Sequence, residues 1–242
     1  MNLFDGTLIP LYNRFAHHSR YVDDLFGHIA GNDLIKGGVI LAAFWGLWFV
    51  RRPLPDQAVA RTTLLVTLIA AFLAVGSARA LTLVLPFRAR PLFAGAPFTQ
   101  QPYDVQGILN ALPNWSSFPS DHAALFFALT AGCFLVSRRL GVALIVYVSV
   151  FIMWPRLYLG IHYPTDILVG GLIGVVCVLG AVIAVRQLPP LQRLAAHTLV
   201  LIDRLNDRYP FISYAILFAT CFETASLFNH MRGLVKVLTG HR

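Results

Sequence analysis

Three short segments of the sequence carry side chains that could bind and transfer a phosphoryl group. Residues 88–91 read Arg-Ala-Arg-Pro, residues 118–122 read Phe-Pro-Ser-Asp-His, and residues 156–166 begin with an arginine and end with a histidine and an aspartate four positions apart. Guanidinium groups bind phosphate oxygens through planar, bidentate hydrogen bonds. The arginines of these segments are Arg88, Arg90 and Arg156. The combination predicts a phosphate-binding site in which an imidazole can act as the nucleophile.

The second segment predicts the start of a helix. Ser120 follows Pro119 and precedes an apolar run, so its hydroxyl can cap the helix, and the free backbone N–H groups there can bind an anion. His122 is available to protonate a departing oxygen. Asp121 could tune His122, but a solvent-facing acid that favours the helix dipole is the simpler interpretation.

The third segment predicts a histidine whose tautomer is fixed by a carboxylate. His162 and Asp166 share one face if the segment is helical. Asp166 can then accept a hydrogen bond from one imidazole nitrogen and leave the other nitrogen as the nucleophile. Pro164 is compatible with this arrangement if it lies in the first helical turn.

The composition places these segments in a membrane protein. Of the 242 residues, 57% are hydrophobic and 12% charged, which excludes a soluble or disordered chain. The net charge of +8 comes from arginines between apolar runs, a pattern that argues against a nucleic-acid partner. We expect an all-α polytopic bundle of about six transmembrane helices. The apolar runs are 37–50, 62–86, 123–137, 140–155, 167–185 and 209–222.

We divide the chain into three parts. Residues 1–36 form an amphipathic N-terminal segment, in which Phe4, Leu8, Leu11 and Phe15 recur at helical spacing. Residues 37–185 form the transmembrane catalytic core. Residues 186–242 form a C-terminal amphipathic segment and the last transmembrane helix.

The distribution of arginines predicts the orientation in the membrane. The Arg-rich segments 51–61, 138–139 and 186–208 fall on one side of the six predicted spans, and the positive-inside rule makes that side cytoplasmic. The three phosphate-binding segments fall on the other side. We therefore expect a site on the non-cytoplasmic face of a cell membrane, most simply a bacterial inner membrane.

Taken in order, the three segments resemble the three-part signature of the type-2 phosphatidic acid phosphatase family, which shares its fold with vanadium-dependent haloperoxidases. The third segment matches the spacing of that signature at Arg156, His162 and Asp166, with Pro155 where serine is usual. The second matches with Asp121 in place of the common glycine.

The first segment matches the family signature least well. When Arg90 is the signature arginine, the lysine that the family has seven residues earlier falls on Leu83. Arg79 or Arg88 could substitute for it. Because Arg79 interrupts an apolar run, a structural ion pair with Glu223 or Asp166 is an equally good interpretation of that residue. The resemblance covers about residues 60–185.

The resemblance implies a metal-independent lipid phosphatase without a cofactor. His162 would attack phosphorus to form a phosphohistidine, Asp166 would orient it, and His122 would protonate the leaving group and then activate water. The phosphoryl oxygens would be held by Arg90, Arg156 and Ser120, with Arg88 as an auxiliary. The substrate would be a lipid phosphate or diphosphate in the bilayer. Undecaprenyl diphosphate is the leading candidate, and phosphatidate and phosphatidylglycerol phosphate are compatible. A lipid phosphotransferase and a catalytically silent transporter or scaffold are the alternatives.

Overall fold

The computed structural model describes residues 3–14, 19–54, 56–94 and 115–227, and within these ranges the chain is helical with no strand. The expected all-α architecture is therefore confirmed. One π-helical turn spans Leu34–Gly38 and a second spans Val148–Met153. A 3₁₀ turn spans Pro91–Phe93. In chain order the helices are α1 (Leu3–Asn13), α2 (Arg20–Gly31), α3 (Val39–Phe49), α4 (Asp56–Val84), α5 (Asp121–Val136), α6 (Arg138–Tyr147), α7 (Trp154–Tyr158), α8 (Pro164–Gln187), α9 (Pro189–Arg208) and α10 (Pro210–Ala225).

Six apolar helical segments correspond to the six apolar runs of the sequence. Among the described residues, three helical segments are long and apolar enough to cross a membrane: Asp56–Val84, Arg138–Tyr158 and Pro164–Gln187. The other three, Leu34–Phe49, Asp121–Val136 and Pro210–Ala225, are apolar but shorter than the ~20 residues that a span normally needs. The chain therefore folds as a membrane helix bundle.

The centre of the bundle is formed by α4, α5 and α8, which pack most closely on one another. Glycines allow α8 to approach α5, since a Cβ at Gly174 would lie 2.2 Å from the carbonyl oxygen of Ala124 and one at Gly170 would lie 2.3 Å from that of Ser120. Small residues four apart commonly permit such close helix crossings in membranes. The crossing holds the start of α5 against the start of α8, where the second and third motifs lie.

The N-terminal helix α1 turns two different faces to its surroundings. Asp5 and Ile9 are fully buried against the bundle, whereas Phe4 and Leu11, from the predicted amphipathic pattern, are exposed. Phe15 of that pattern lies outside the described residues. Phe4 and Leu11 thus point away from the protein, and the buried contacts of α1 are made by one carboxylate and one apolar side chain.

The two ends of α4 carry different charge clusters. Near its start, Arg61 pairs with Asp203 of α9 at 3.1 Å. Near its end, Arg79 pairs with Asp121 of α5 at 3.3 Å. The continuous helix between the two arginines corresponds to about 27 Å at 1.5 Å per residue. The Arg-rich segments and the three motif segments therefore lie at opposite ends of the bundle.

Candidate active site

His162 lies at the centre of the residues that the motifs predicted. Its side chain is buried, and its Nε2 lies 3.3 Å from Ser120 Oγ and 3.4 Å from Arg90 Nη1. On the other edge of the ring, Nδ1 lies 3.0 Å from the carbonyl oxygen of Ser117 and 3.5 Å from Asp166 Oδ2. One nitrogen thus faces hydrogen-bond acceptors, and the other faces the groups suited to a phosphate.

The local fold at His162 differs from the predicted helical turn. His162 precedes α8, whose N-cap is Tyr163 and whose first residue is Pro164. Asp166 is the third residue of the helix, and its Oδ2 accepts a hydrogen bond from the backbone N–H of Tyr163 at 2.8 Å. The expectation of a shared helical face is wrong, because the carboxylate reaches back across the capping turn. Pro164 lies in the first turn, as expected.

The surroundings of His162 favour a neutral imidazole. Burial lowers the pKa of His162; the hydrogen bond to Asp166 opposes this change, and the positive charge of Arg90 acts in the same direction as burial. A neutral imidazole with an acceptor at Nδ1 carries its lone pair on Nε2. The nitrogen that faces Arg90 and Ser120 is therefore the one that carries the free lone pair.

One hydrogen-bond donor of the Arg90 guanidinium, Nε, lacks a partner among the described residues. Its Nη1 donates to the carbonyl oxygen of Ile161 at 2.8 Å, which fixes the guanidinium beside His162. Its Nε is buried and has no hydrogen-bond partner among the residues that the structure describes. An unsatisfied buried donor is costly, and an anionic oxygen would satisfy it. Arg90 thus fits a ligand such as a phosphate.

Ser120 and Arg156 complete the group that was predicted to bind phosphate. Ser120 is the N-cap of α5, as predicted, and its Oγ accepts from the backbone N–H of Ala123 at 3.4 Å. Arg156 is buried in α7 and donates from Nη1 to the carbonyl oxygen of Ile152 at 2.7 Å. Its guanidinium lies within electrostatic range of Arg90, Asp121 and His122.

His122 has a carboxylate partner that the sequence analysis assigned to solvent. Asp121 Oδ1 lies 2.9 Å from His122 Nδ1, and Asp121 Oδ2 lies 3.3 Å from Arg79 Nη2. The simpler interpretation of Asp121 as a solvent-facing acid is therefore wrong. Its contacts also give Arg79 a carboxylate partner that the sequence analysis did not consider, and Arg79 donates as well to the carbonyl oxygen of Leu227.

Arg88 lies between two buried carboxylates. Its Nη1 is 2.6 Å from Asp166 Oδ1 and its Nη2 is 2.5 Å from Asp5 Oδ2. The guanidinium also lies over the ring of Tyr163, 3.9 Å from the centroid. The sequence analysis missed Asp5, because no local pattern connects the first helix with a motif more than eighty residues away.

Lys36 is a second residue that the sequence analysis missed. It lies in the π-helical turn before α3, is buried, and pairs with Asp33 at 2.7 Å. It lies within electrostatic range of His122 and Arg156. The available signal was a lysine at the edge of an apolar run, since ionisable groups at such depth are usually functional or paired.

Arginines and one lysine supply the positive charge around the site. Arg90 lies beside His162 Nε2, and Arg156 and Lys36 lie within electrostatic range of His122. Across residues 3–14, 19–54, 56–94 and 115–227, no group of three His, Cys, Asp or Glu side chains is placed to hold a metal ion.

Comparison with known proteins agrees with the motifs. The PAP2 superfamily model matches residues 48–189, which is more than half of the chain. The chain is 39% identical over 65 residues to a protein of Escherichia coli (strain K12) provisionally named undecaprenyl-diphosphatase YbjG, a stretch that covers 27% of this chain and 33% of that protein. It is 37% identical over 84 residues to the bacitracin transport permease protein BcrC of Bacillus licheniformis, covering 34% and 39% of the two chains. The matched stretches thus span little more than a third of either relative, and no solved structure matches the chain. Because the family model covers all three motifs and the helices that carry them, the chain belongs to the PAP2 superfamily.

Proposed function

We propose that this protein is an integral-membrane phosphatase that hydrolyses a lipid phosphate or diphosphate through a phosphohistidine intermediate. The observation that carries the proposal is the placement of His162, with Nε2 facing Ser120 and Arg90 and Nδ1 facing Asp166. The PAP2 membership and the similarity to a protein named as an undecaprenyl-diphosphatase support the choice of substrate class.

The reaction takes place in two displacements. In the first, His162 Nε2 attacks phosphorus, the bond from phosphorus to the leaving oxygen breaks, and His122 donates a proton to that oxygen. In the second, His122 takes a proton from water, the water oxygen attacks phosphorus, the bond from phosphorus to His162 Nε2 breaks, and inorganic phosphate leaves. Asp166 accepts from Nδ1 and stabilises the charge that develops on the His162 ring.

The phosphoryl charge is balanced by the arginines. Arg90, Arg156 and Ser120 are placed to bind the equatorial oxygens, which carry most of the charge in the transition state. Lys36 adds a further cation close to His122 and Arg156. We infer that this cluster performs the neutralisation that Mg²⁺ performs in other phosphoryl-transfer enzymes, so that the reaction needs no metal.

The substrate we favour is undecaprenyl diphosphate on the non-cytoplasmic face of a bacterial inner membrane. The Arg-rich segments and the site lie at opposite ends of the bundle, and the positive-inside rule assigns the Arg-rich end to the cytoplasm. A diphosphate headgroup at the other interface would meet the site while its tail remained in the bilayer. Phosphatidate and phosphatidylglycerol phosphate fit the same placement.

The test is phosphate release by the purified protein in detergent with EDTA present. Undecaprenyl diphosphate, phosphatidate and phosphatidylglycerol phosphate are offered in parallel, and His162→Ala is compared with His197→Ala, whose histidine is exposed on α9. We expect release by the wild type and by the His197 variant, and none by the His162 variant. Transfer of phosphate to a second lipid would show a phosphotransferase. An absence of any turnover would favour a transporter or scaffold.

A further inference from the structure

We infer that Asp5 of the N-terminal helix is a positioning residue of the active site, which holds Arg88 against Asp166. Asp5 lies outside the stretch that matches the family model, residues 48–189. The inference rests on the proposed function, since it concerns how the proposed nucleophile is supported. It makes α1 part of the catalytic apparatus.

The first step of the argument is the set of contacts that Asp5 makes. Its side chain is completely buried. Oδ1 accepts from the backbone N–H of Thr165 at 3.0 Å, and Oδ2 accepts from Thr165 Oγ1 at 2.6 Å and from Arg88 Nη2 at 2.5 Å. A carboxylate removed from water is stable only when it is paired and hydrogen-bonded. Asp5 meets that condition through the first turn of α8 and through Arg88.

The second step is the position of Arg88. Its Nη1 donates to Asp166 Oδ1 at 2.6 Å and to Thr165 Oγ1 at 2.9 Å, while Nη2 is held by Asp5. Asp166 in turn faces His162 Nδ1 from its other oxygen. A continuous chain of polar contacts thus runs from α1 to the proposed nucleophile through Asp5, Arg88, Asp166 and His162.

These contacts decide which role Arg88 has in the site. Two of the three guanidinium nitrogens of Arg88 face carboxylates, so Arg88 orients Asp166 and is not a ligand of the phosphate. This assignment differs from the auxiliary phosphate-binding role that the motif resemblance implied. Without Asp5, Arg88 would keep its contacts with Asp166 and Thr165 but would lose the carboxylate that holds Nη2, so the Arg88–Asp166 pair would be less firmly fixed. The chemical step should then slow, while binding of the phosphoryl group should change little.

The experiment is a double-mutant cycle on Asp5 and Arg88 in the full-length protein. The variants are Asp5→Asn, Arg88→Gln and the two combined, with Asp24→Asn on the exposed side of α2 as a matched control. Turnover is measured on a lipid substrate that the wild type hydrolyses, and the affinity for inorganic phosphate is measured by a shift in thermal stability, which needs no turnover.

We expect Asp5→Asn to lower kcat by about tenfold or more with KM nearly unchanged. The loss should disappear in the Arg88→Gln background, because residues that act through one another are not additive. The affinity for inorganic phosphate should stay within about threefold in Asp5→Asn and Arg88→Gln alike, since positioning changes transition-state binding more than ground-state binding. Asp5→Glu, which keeps the charge, should recover much of the activity even if the asparagine variant folds poorly.

Several results would overturn the inference. Equal losses from Asp5→Asn in both backgrounds would show that Asp5 only anchors α1. An unchanged kcat would show that this chain of polar contacts has no catalytic role. Much weaker binding of inorganic phosphate in Arg88→Gln would make Arg88 a phosphate ligand. A wild type without phosphatase activity would contradict the proposed function itself, and that result is distinct from all of these.

Discussion

The contact between Asp121 and His122 predicts a loss of activity that depends on the leaving group. If His122 is the general acid, its protonated ring is stabilised by Asp121 Oδ1 at 2.9 Å. Asp121→Asn keeps the size of the side chain but removes its charge. A hydrogen bond to a charged group contributes about 1.5–3 kcal/mol. At about 1.4 kcal/mol per tenfold change in rate, the variant should lose about 10- to 150-fold in kcat/KM.

The assay compares two substrates with different leaving groups. A lipid phosphate has a poor leaving group that needs a proton, whereas p-nitrophenyl phosphate releases a stable phenolate that does not. We expect the full loss on the lipid and a much smaller loss on the activated ester. Asp203→Asn is the matched control, since Asp203 also pairs with an arginine of α4, at the other end of the bundle. Equal losses on the two substrates would refute the assignment of His122 as the acid that Asp121 supports.

Three further predictions concern pH, packing and orientation. Because the pKa of His162 is lowered and its neutral form attacks, the acidic limb of the kcat/KM profile should lie below about pH 6.5, the ordinary histidine value; an acidic limb above neutral pH would contradict this. Gly174→Ala should lower the free energy of unfolding by ~1–3 kcal/mol, since the new Cβ would lie 2.2 Å from a backbone carbonyl oxygen. A Cβ at Gly180 on the same helix would meet nothing within 4 Å, so Gly180→Ala should be tolerated. In a cysteine-less protein in intact cells, an impermeant maleimide should label a cysteine placed at Gln106, which lies outside the described residues, and should label one at Gln57 only after lysis; the reverse pattern would invert the proposed topology.

Local chemistry explains why most of the fold and the centre of the site could be predicted from the sequence. The helix start at Ser120 follows from a serine between a proline and an apolar run. The pairing of His162 with Asp166 follows from four positions in sequence, although a capping turn and not a helical face makes the contact.

The parts that could not be predicted depend on contacts between distant elements. Asp5 meets Arg88 across more than eighty residues, and Lys36 reaches the site from a π-helical turn that no periodicity indicates. Asp121 was misassigned because the arginine that faces it belongs to another helix. Such pairings arise only when the packing of the bundle brings the helices together.

Trapping of the phosphohistidine intermediate tests directly whether His162 carries the phosphoryl group. The protein is mixed with a lipid phosphate whose terminal phosphorus is radioactive, quenched within the first turnover, and separated from the lipid. We expect a labelled protein whose label is lost in acid and stable in base, which is the behaviour of a phosphoramidate. We also expect no label in His162→Ala and a normal label in His197→Ala. A label of the same amount in the His162 variant, or turnover without any labelled protein, would contradict the account.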